Sequence, residues 1–362
     1  MLSFLFSFLV AVLITPVVIS WYRAHNWLDD PVKQHHVKIV HTQPVPRGGG
    51  LVIFAAILIP AFFLLQFDKY LLGILAGALL LTIVGFWDDL KNIHPLIRLF
   101  AGLLAGLIVV GSGIGIAYVT NPFYAQGISV FGWESEVIHL NQPQLVFHLF
   151  GQVHTVWLLA DFFALLFILW NMNIVNWSKG VDGQLPGFVA IGAIFIGLLS
   201  QRFLDDPTTF NTAHLSFMVA GAYTGFLVWN FYPQKIMPGY GAGSLAGYFL
   251  TVLAILSGAK VATALMILAI PTADAIFTIL RRLYAGKSPF WGDRGHLHHK
   301  LMDELGWGKR RVAIFYWLTS LALGIMSLYL NTIGKLVTIG LVTTLVFSFL
   351  VWVKLKGSKK HL

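Results

Sequence analysis

The chain has 362 residues, of which 57% are hydrophobic and 11% charged, and its mean hydropathy is +0.77. A soluble domain carries about 25% charged residues, so that class is excluded. The absence of cysteine excludes disulfides, thiolate metal sites and cysteine nucleophiles, and the net charge of +9 speaks first of membrane topology rather than of a nucleic-acid partner.

Met1 to Trp21 is an apolar run with no basic stretch and no small-residue cleavage site before Arg23, so it reads as a retained first helix. A bilayer span needs ~20 mainly apolar residues. On that measure eleven spans follow, near 2–22, 48–66, 70–87, 98–118, 156–175, 186–201, 214–231, 242–257, 259–280, 312–330 and 334–355. The expected fold is an all-α polytopic membrane protein, one integral domain over 1–362 without internal repeat. Clustered glycines (Gly102, Gly106, Gly111; Gly241, Gly243, Gly247) suit close helix approach in lipid.

Eleven spans put the termini on opposite sides. With the N-terminus outside, the inner loops and the C-terminal end take twenty of the 24 lysines and arginines, and only Lys69, Arg202, Lys260 and Lys335 stay outside. That bias predicts a cytoplasmic C-terminus. Residues 120–153 then fall outside as a small extracytoplasmic hairpin or cap, with short alternating stretches at 127–130 and 137–140 and no lysine or arginine. His139, His148 and His154 are scattered there and read as surface residues.

The unusual residues collect on the inner side. The first inner loop runs from Asp29-Asp30-Pro31 to Pro46-Arg47-Gly48-Gly49-Gly50. Backbone N–H groups at a glycine-rich helix start can bind phosphate, helped by Arg47 and His41; the other reading is a solvated basic loop before a glycine-opened helix. The third span ends in Gly85-Phe86-Trp87-Asp88-Asp89. Paired carboxylates at a membrane boundary need a divalent cation or a proton, and acids oppose the macrodipole at a helix C-terminus. A site is therefore favoured over a pair merely solvated, or matched by Lys91 and Arg98. One acid can hold Mg2+ while the other accepts a proton from, or orients, a phosphate nucleophile.

Asn173 and Asn176 share a helical face just before Lys179 and the glycine-flanked Asp182. Their amides can read a sugar or a base and Asp182 can join a metal, although asparagine and glycine also simply end helices. The turn Met237-Pro238-Gly239-Tyr240-Gly241-Ala242-Gly243-Ser244 suits either a phosphate near the backbone or close helix packing. Asp274, three residues after Pro271, is an intramembrane acid with Arg281 or Arg282 as the expected partner. Last comes an inner loop, about 281–311, in which Asp293 and Arg294 precede His296, His298 and His299. This constellation can grip phosphate or metal.

In this order the segments resemble the polyprenyl-phosphate N-acetylhexosamine-1-phosphate transferases (the glycosyltransferase 4 family). That family starts O-antigen or teichoic-acid linkage synthesis and includes the phospho-MurNAc-pentapeptide transferase. The resemblance rests on Gly85-Phe86-x-Asp88-Asp89, Asn173-x-x-Asn176 with Val181-Asp182-Gly183, Pro271-x-x-Asp274, and Ser288-Pro289-Phe290-x-x-Asp293-Arg294-x-His296-x-His298-His299. The last motif looks like the N-acetylglucosamine or related hexosamine branch.

The resemblance implies an EC 2.7.8-type transferase at the cytoplasmic membrane, its active site facing the cytoplasm. The phosphate of a polyprenyl lipid attacks the β-phosphorus of a UDP-N-acetylhexosamine, releasing UMP. Mg2+ or Mn2+ on Asp89 and Asp182 is implied as cofactor. Asp88, Asp89 and Asp182 are implied as catalytic. His41, Arg47, Asn173, Asn176, Lys179, Asp293, Arg294, His296, His298 and His299 are implied to bind substrate. The partners are the UDP-sugar, the polyprenyl phosphate and membrane lipids, with no nucleic acid; a homodimer is left open.

Two departures from the family pattern stand out. Lys179 replaces the first acid of Asn-x-x-Asp-Gly-x-Asp-Gly, and the turn from Met237 to Ser244 lacks the acid of Met-Gly-Asp-x-Gly-Ser. The pocket becomes more positive by about three charges; either Mg2+ still sits on Asp89 and Asp182, or Lys179 takes over part of the metal's electrostatic role. The competing reading is a non-catalytic member that binds lipid phosphate or nucleotide sugar as regulator or scaffold. A secondary transporter would predict repeat symmetry and broken helices.

Overall fold

In hydrocarbon a backbone has only itself to hydrogen-bond, so long apolar runs coil into helices. The computed structural model describes residues 1–32, 41–124, 135–149, 152–203, 207–257, 261–288 and 293–358. Lys33, Lys38, the stretch 127–130, Lys260, residues 289–292 of the polar loop, Lys359 and Lys360 lie outside the described residues.

Thirteen α-helices are described: α1 (Leu2–Ala24), α2 (Gly49–Leu64), α3 (Lys69–Lys91), α4 (Pro95–Gly111), α5 (Leu158–Trp177), α6 (Gln184–Ser200) and α7 (Pro207–Asn230) come first. They are followed by α8 (Gly239–Leu256), α9 (Val261–Ile267), α10 (Ala269–Tyr284), α11 (Leu297–Leu305), α12 (Lys309–Tyr329) and α13 (Thr332–Ser358). Each expected span coincides with one helix, or with α9 and α10 together; α11 is a short addition inside the polar loop. Six helices are long and apolar enough to cross a membrane, seven if α9 and α10 form one span, and α2, α4 and α6 are shorter apolar helices. The chain is a mostly helical, multi-pass membrane protein.

The break between α9 and α10 bends the chain by 79°. Pro271 sits in the first turn of α10 and has no N–H to offer the carbonyl four residues back, where α9 ends.

The all-α expectation is corrected by three short antiparallel ladders. β1 (Leu28–Asp29) pairs with β2 (Val45–Pro46), β3 (Tyr118–Thr120) with β4 (Val137–His139), and β5 (Gln144–Leu149) with β6 (Gln152–Trp157). The expected hairpin at 120–153 is thus two ladders reaching Trp157, and α5 starts later than its apolar run suggests. Strand pairing satisfies backbone groups there that no helix takes up.

Lipid inverts the usual burial pattern. On α1 the small residues Ser3, Ser7, Ala11 and Thr15, spaced by four, are buried, while Leu5, Leu9, Leu13 and Val17 are exposed. The small stripe lets α1 approach α7, where Gly221 and Gly225 lie against the Phe4 and Phe8 carbonyls. α8 is the central helix: every residue from Gly239 to Ala254 is buried, and it packs on α2, α3, α5, α6 and α7. Gly241 touches Gly50 and Gly85, and Gly247 lies on the backbone of Asn171 and Met172. The Tyr248 hydroxyl anchors α8 by donating to the Ile74 carbonyl at 2.9 Å.

Candidate active site

The start of α8 organises the polar end of the fold. Gly49 and Gly50 are buried against Pro238 and Gly241, and the Gly49 N–H is spent on the Met237 carbonyl at 3.2 Å. The glycine triplet and the turn after Met237 therefore pack on each other. For the turn after Met237 this is the close helix packing expected as one of its two readings.

Asp89, at the end of α3, accepts the backbone N–H of Tyr240 at 3.1 Å. It acts as an N-cap supplied by another helix, at the positive end of the α8 dipole. Gly239 has φ +64, and a Cβ there would overlap the Asp89 carboxylate and the Arg47 carbonyl. Only glycine allows this approach. Asp88 turns the other way and is buried, bonded to Arg98 at 2.8 Å and to the Ile93 N–H at 3.1 Å. The pairing with Arg98 weighed above is realised for Asp88.

Lys179 follows the end of α5. Its Nζ donates to Asn176 Oδ1 at 2.6 Å and to the Gly239 carbonyl. The two departures from the family pattern, Lys179 and the acid-free turn, are thus in direct contact. Burial pulls the Lys179 ammonium down to about 7, against the attraction of Asp89 and Asp88 and with added repulsion from Arg98 and Arg47. An anionic ligand beside it would restore the charge.

The histidines join this cluster through Gly180. A side chain at 180 would overlap the His298 ring. His298 stacks on His296, with ring centroids 5.7 Å apart, and lies 4.3 Å from His299. All three are buried; His296 caps α11 and the other two lie in its first turn.

Asp274 lies under them. It sits 3.0 Å from His296 Nδ1 and accepts the Leu297 N–H at 2.8 Å. The expected partners of Asp274, Arg281 and Arg282, instead bond Asp293 at 2.8 and 3.1 Å. Asp274 lies deeper in α10, and the helix start at Leu297 brings a free N–H to it. Burial works against the Asp293 charge, but the Gly295 N–H and the Arg282 and Arg281 guanidinium groups outweigh it and hold the carboxyl at about 2. Asp274 orients His296 with Nδ1 as donor, which leaves Nε2 as acceptor towards Arg282, 3.5 Å away. Arg282 also lies over the Trp177 ring, at 5.8 Å, closing the path from the histidines back to α5.

The other expected site residues each have partners of their own. Asp182 is buried and bonded to the Gln234 N–H at 3.2 Å and to Lys309 at 3.4 Å. Arg294 pairs with Asp303 at 2.8 Å near the surface. The Asn173 amide donates back to the Leu169 carbonyl. His41 lies 3.3 Å from the Asp29 carbonyl, and Arg47 bonds Asp29 and Asn92, so both brace the first loop. Among the inner-side charges, Lys309 counts for topology alone when read from the sequence. Its place at the start of α12, where a cation opposes the helix dipole, was the available signal that it answers an acid elsewhere.

The residues present do not fit a divalent cation. Among the described residues no three His, Cys, Asp or Glu side chains gather as a metal group. Asp89 meets the Tyr240 N–H and Asp182 meets Lys309, and no described contact joins the two acids. Mg2+ demands near-octahedral oxygen ligation, whereas here an ammonium fills the space between Asn176 and Gly239.

What remains is a polar cluster of Lys179, Asn176, the histidines and Arg282, rich in donors and suited to a multiply charged phosphate ligand. Comparison with known proteins agrees. Residues 71–258 match the family described as Glycosyl transferase family 4. A Bacillus subtilis protein named "Probable undecaprenyl-phosphate N-acetylglucosaminyl 1-phosphate transferase" is 24% identical over 98% of this chain and 90% of its own length. The decaprenyl-phosphate N-acetylglucosaminephosphotransferase of Mycolicibacterium smegmatis is 26% identical over 88% of this chain and 80% of its own. The phospho-N-acetylmuramoyl-pentapeptide-transferase of Shouchella clausii is 29% identical, over 90% and 95%. With a family match across more than half its length, the chain belongs to glycosyl transferase family 4, the family of polyprenyl-phosphate sugar-1-phosphate transferases.

Proposed function

We propose that this chain transfers N-acetylhexosamine-1-phosphate from a UDP-sugar to a polyprenyl phosphate, with its N-terminus outside and its pocket facing the cytoplasm. The observation that carries the reading is the run of contacts from Asp89 through Tyr240 and Gly239 at the start of α8 to Lys179, and from Gly180 to His298, His296 and Arg282. It joins four sequence segments into one donor-rich cluster.

In this reading an oxygen of the lipid phosphate forms a bond to the β-phosphorus of the donor. The bond from that phosphorus to the bridging oxygen breaks, and UMP leaves with the electron pair. A phosphate monoester has a second pKa of about 6, so the nucleophile is already ionised at neutral pH and needs no general base. Asp88 and Asp89 accordingly act as positioning groups, Asp88 through Arg98 and Asp89 through Tyr240 and Lys179. Lys179, Arg282 and the histidines face the charge of the diphosphate. Asn176 holds Lys179 in place, and the whole chain works as one transferase unit.

The test is incubation of the purified chain with undecaprenyl phosphate and radiolabelled UDP-N-acetylhexosamines, reading labelled lipid and released UMP. Product with any donor is the expected result. Retained UDP-sugar binding without product from any donor overturns it and leaves a non-catalytic binder, the reading that the loss of two motif acids favours.

A further inference from the structure

We propose that the Lys179 ammonium replaces the divalent cation in this chain, so that the donor diphosphate is neutralised by a covalently attached charge and transfer needs no bound metal. The inference rests on the transferase reading for its second half, and on geometry alone for its first.

The carboxylates near the pocket are already matched. Asp29 bonds Arg47, Asp88 bonds Arg98, Asp182 meets Lys309, and Asp293 bonds Arg281 and Arg282. Asp274 faces His296 and the Leu297 N–H. Asp89 receives the Tyr240 N–H and attracts Lys179. Mg2+ is usually held by one or two carboxylates plus substrate phosphates, and each of these six is engaged by a cation, a histidine or a backbone N–H.

The position of the ammonium matters as much as its charge. Lys179 is held on two oxygens, the Asn176 amide and the Gly239 carbonyl, at the helix start that Asp89 caps. That is an oxygen-lined seat at the start of the central helix, the kind of setting a hard cation takes, and the lysine sits in it. An ammonium has three donors, so two protein oxygens leave one N–H for a phosphate oxygen. The seat depends on glycine at 239 and 243, because a Cβ there would overlap the Asp89 carboxylate and the Asn176 amide.

The experiment uses the purified full chain and Mn2+ alone, titrated without nucleotide and followed by loss of the free-ion electron paramagnetic resonance signal. The wild-type chain is expected to take up no stoichiometric Mn2+, and Lys179→Asp to gain a site that a further Asp89→Asn change removes. Uptake of one Mn2+ by the wild type, abolished by Asp89→Asn, overturns the proposal. In the second arm, turnover is measured with excess chelator and with added Mg2+. Rates within about twofold of each other support metal-free transfer, whereas a chelator-induced loss of about tenfold or more, restored by Mg2+, overturns it.

Lys179→Arg controls for folding: it keeps the charge and is expected to keep the chain free of Mn2+. If Lys179→Asp fails to fold, wild type and Lys179→Arg still decide the first arm. A chain inactive under every condition refutes the transferase reading and with it the second half of the proposal. The Mn2+ titration then still decides whether Lys179 occupies the cation's place.

Discussion

Lys179, in the loop after α5, donates a hydrogen bond to the carbonyl of Gly239, 60 residues further along, where α8 begins. Two segments that look weakened when taken separately therefore complete each other. Because Asp89 caps the same helix start, any change at Gly239 reaches the acid and the lysine together.

Gly239→Ala tests that coupling. A methyl group at φ +64 is strained and would overlap the Asp89 carboxylate. We expect a loss of roughly 1–3 kcal/mol in stability, read as a lowered Tm in detergent, with loss of UDP-sugar binding. Gly340→Ala in α13, with nothing within 4 Å, is the control expected to change neither.

Gly180→Ala should separate binding from folding. The added Cβ collides with the His298 ring, which must move away from His296. Donor affinity is expected to fall by about tenfold, or roughly 1.4 kcal/mol, while helical circular dichroism stays unchanged. Unaltered binding in a UDP-sugar titration would detach the histidines from the donor site.

At Asp89, asparagine keeps an acceptor for the Tyr240 N–H but removes the charge that faces Lys179. Turnover should drop by about a hundredfold or more, close to 3 kcal/mol of transition-state stabilisation, with little change in Tm. Full activity in Asp89→Asn would remove this acid from the reacting centre.

Asp274→Ala leaves the His296 ring and the Leu297 N–H without their buried partner. Losing such a partner costs about 1–3 kcal/mol. Amide hydrogen exchange across α11 should accelerate before global unfolding, and exchange that stays at the wild-type rate would argue against a capping role.

The chain's lack of cysteine makes orientation directly measurable. Tyr284→Cys, 89% exposed at the end of α10, should react with a membrane-impermeant maleimide only in inside-out vesicles. Tyr124→Cys, in the segment between α4 and α5, should react only from the opposite side. Labelling of both from one side would refute the eleven-span arrangement.

Much of the frame was legible because hydropathy accumulates along the chain. A run such as 70–87 coils into a helix whatever its neighbours do, and α3 occupies it. The ladder β5–β6 was less legible, since its apolar residues near Trp157 continue smoothly into those of α5 and only backbone pairing separates them. Within the pocket, residue types were readable but partners were not. Asp274 was matched to arginines by spacing on its own helix, whereas its actual partners arrive from the start of α11. Asp182 finds Lys309 across 127 residues, beyond the reach of any local pattern.

The sequence by itself determined a multi-pass helical membrane protein, the sidedness expected from its charges, and the few segments able to carry phosphate chemistry. Those properties are sums over residues or local patterns, and they survive without knowledge of contacts. Only the tertiary structure decided how the charges are matched: Asp88 with Arg98, Asp293 with Arg281 and Arg282, and Lys179 on Gly239 beside Asp89. Electrostatic energy depends on distance and burial, so a few ångströms at the start of α8 decide that a lysine sits where the family pattern leads one to expect a metal.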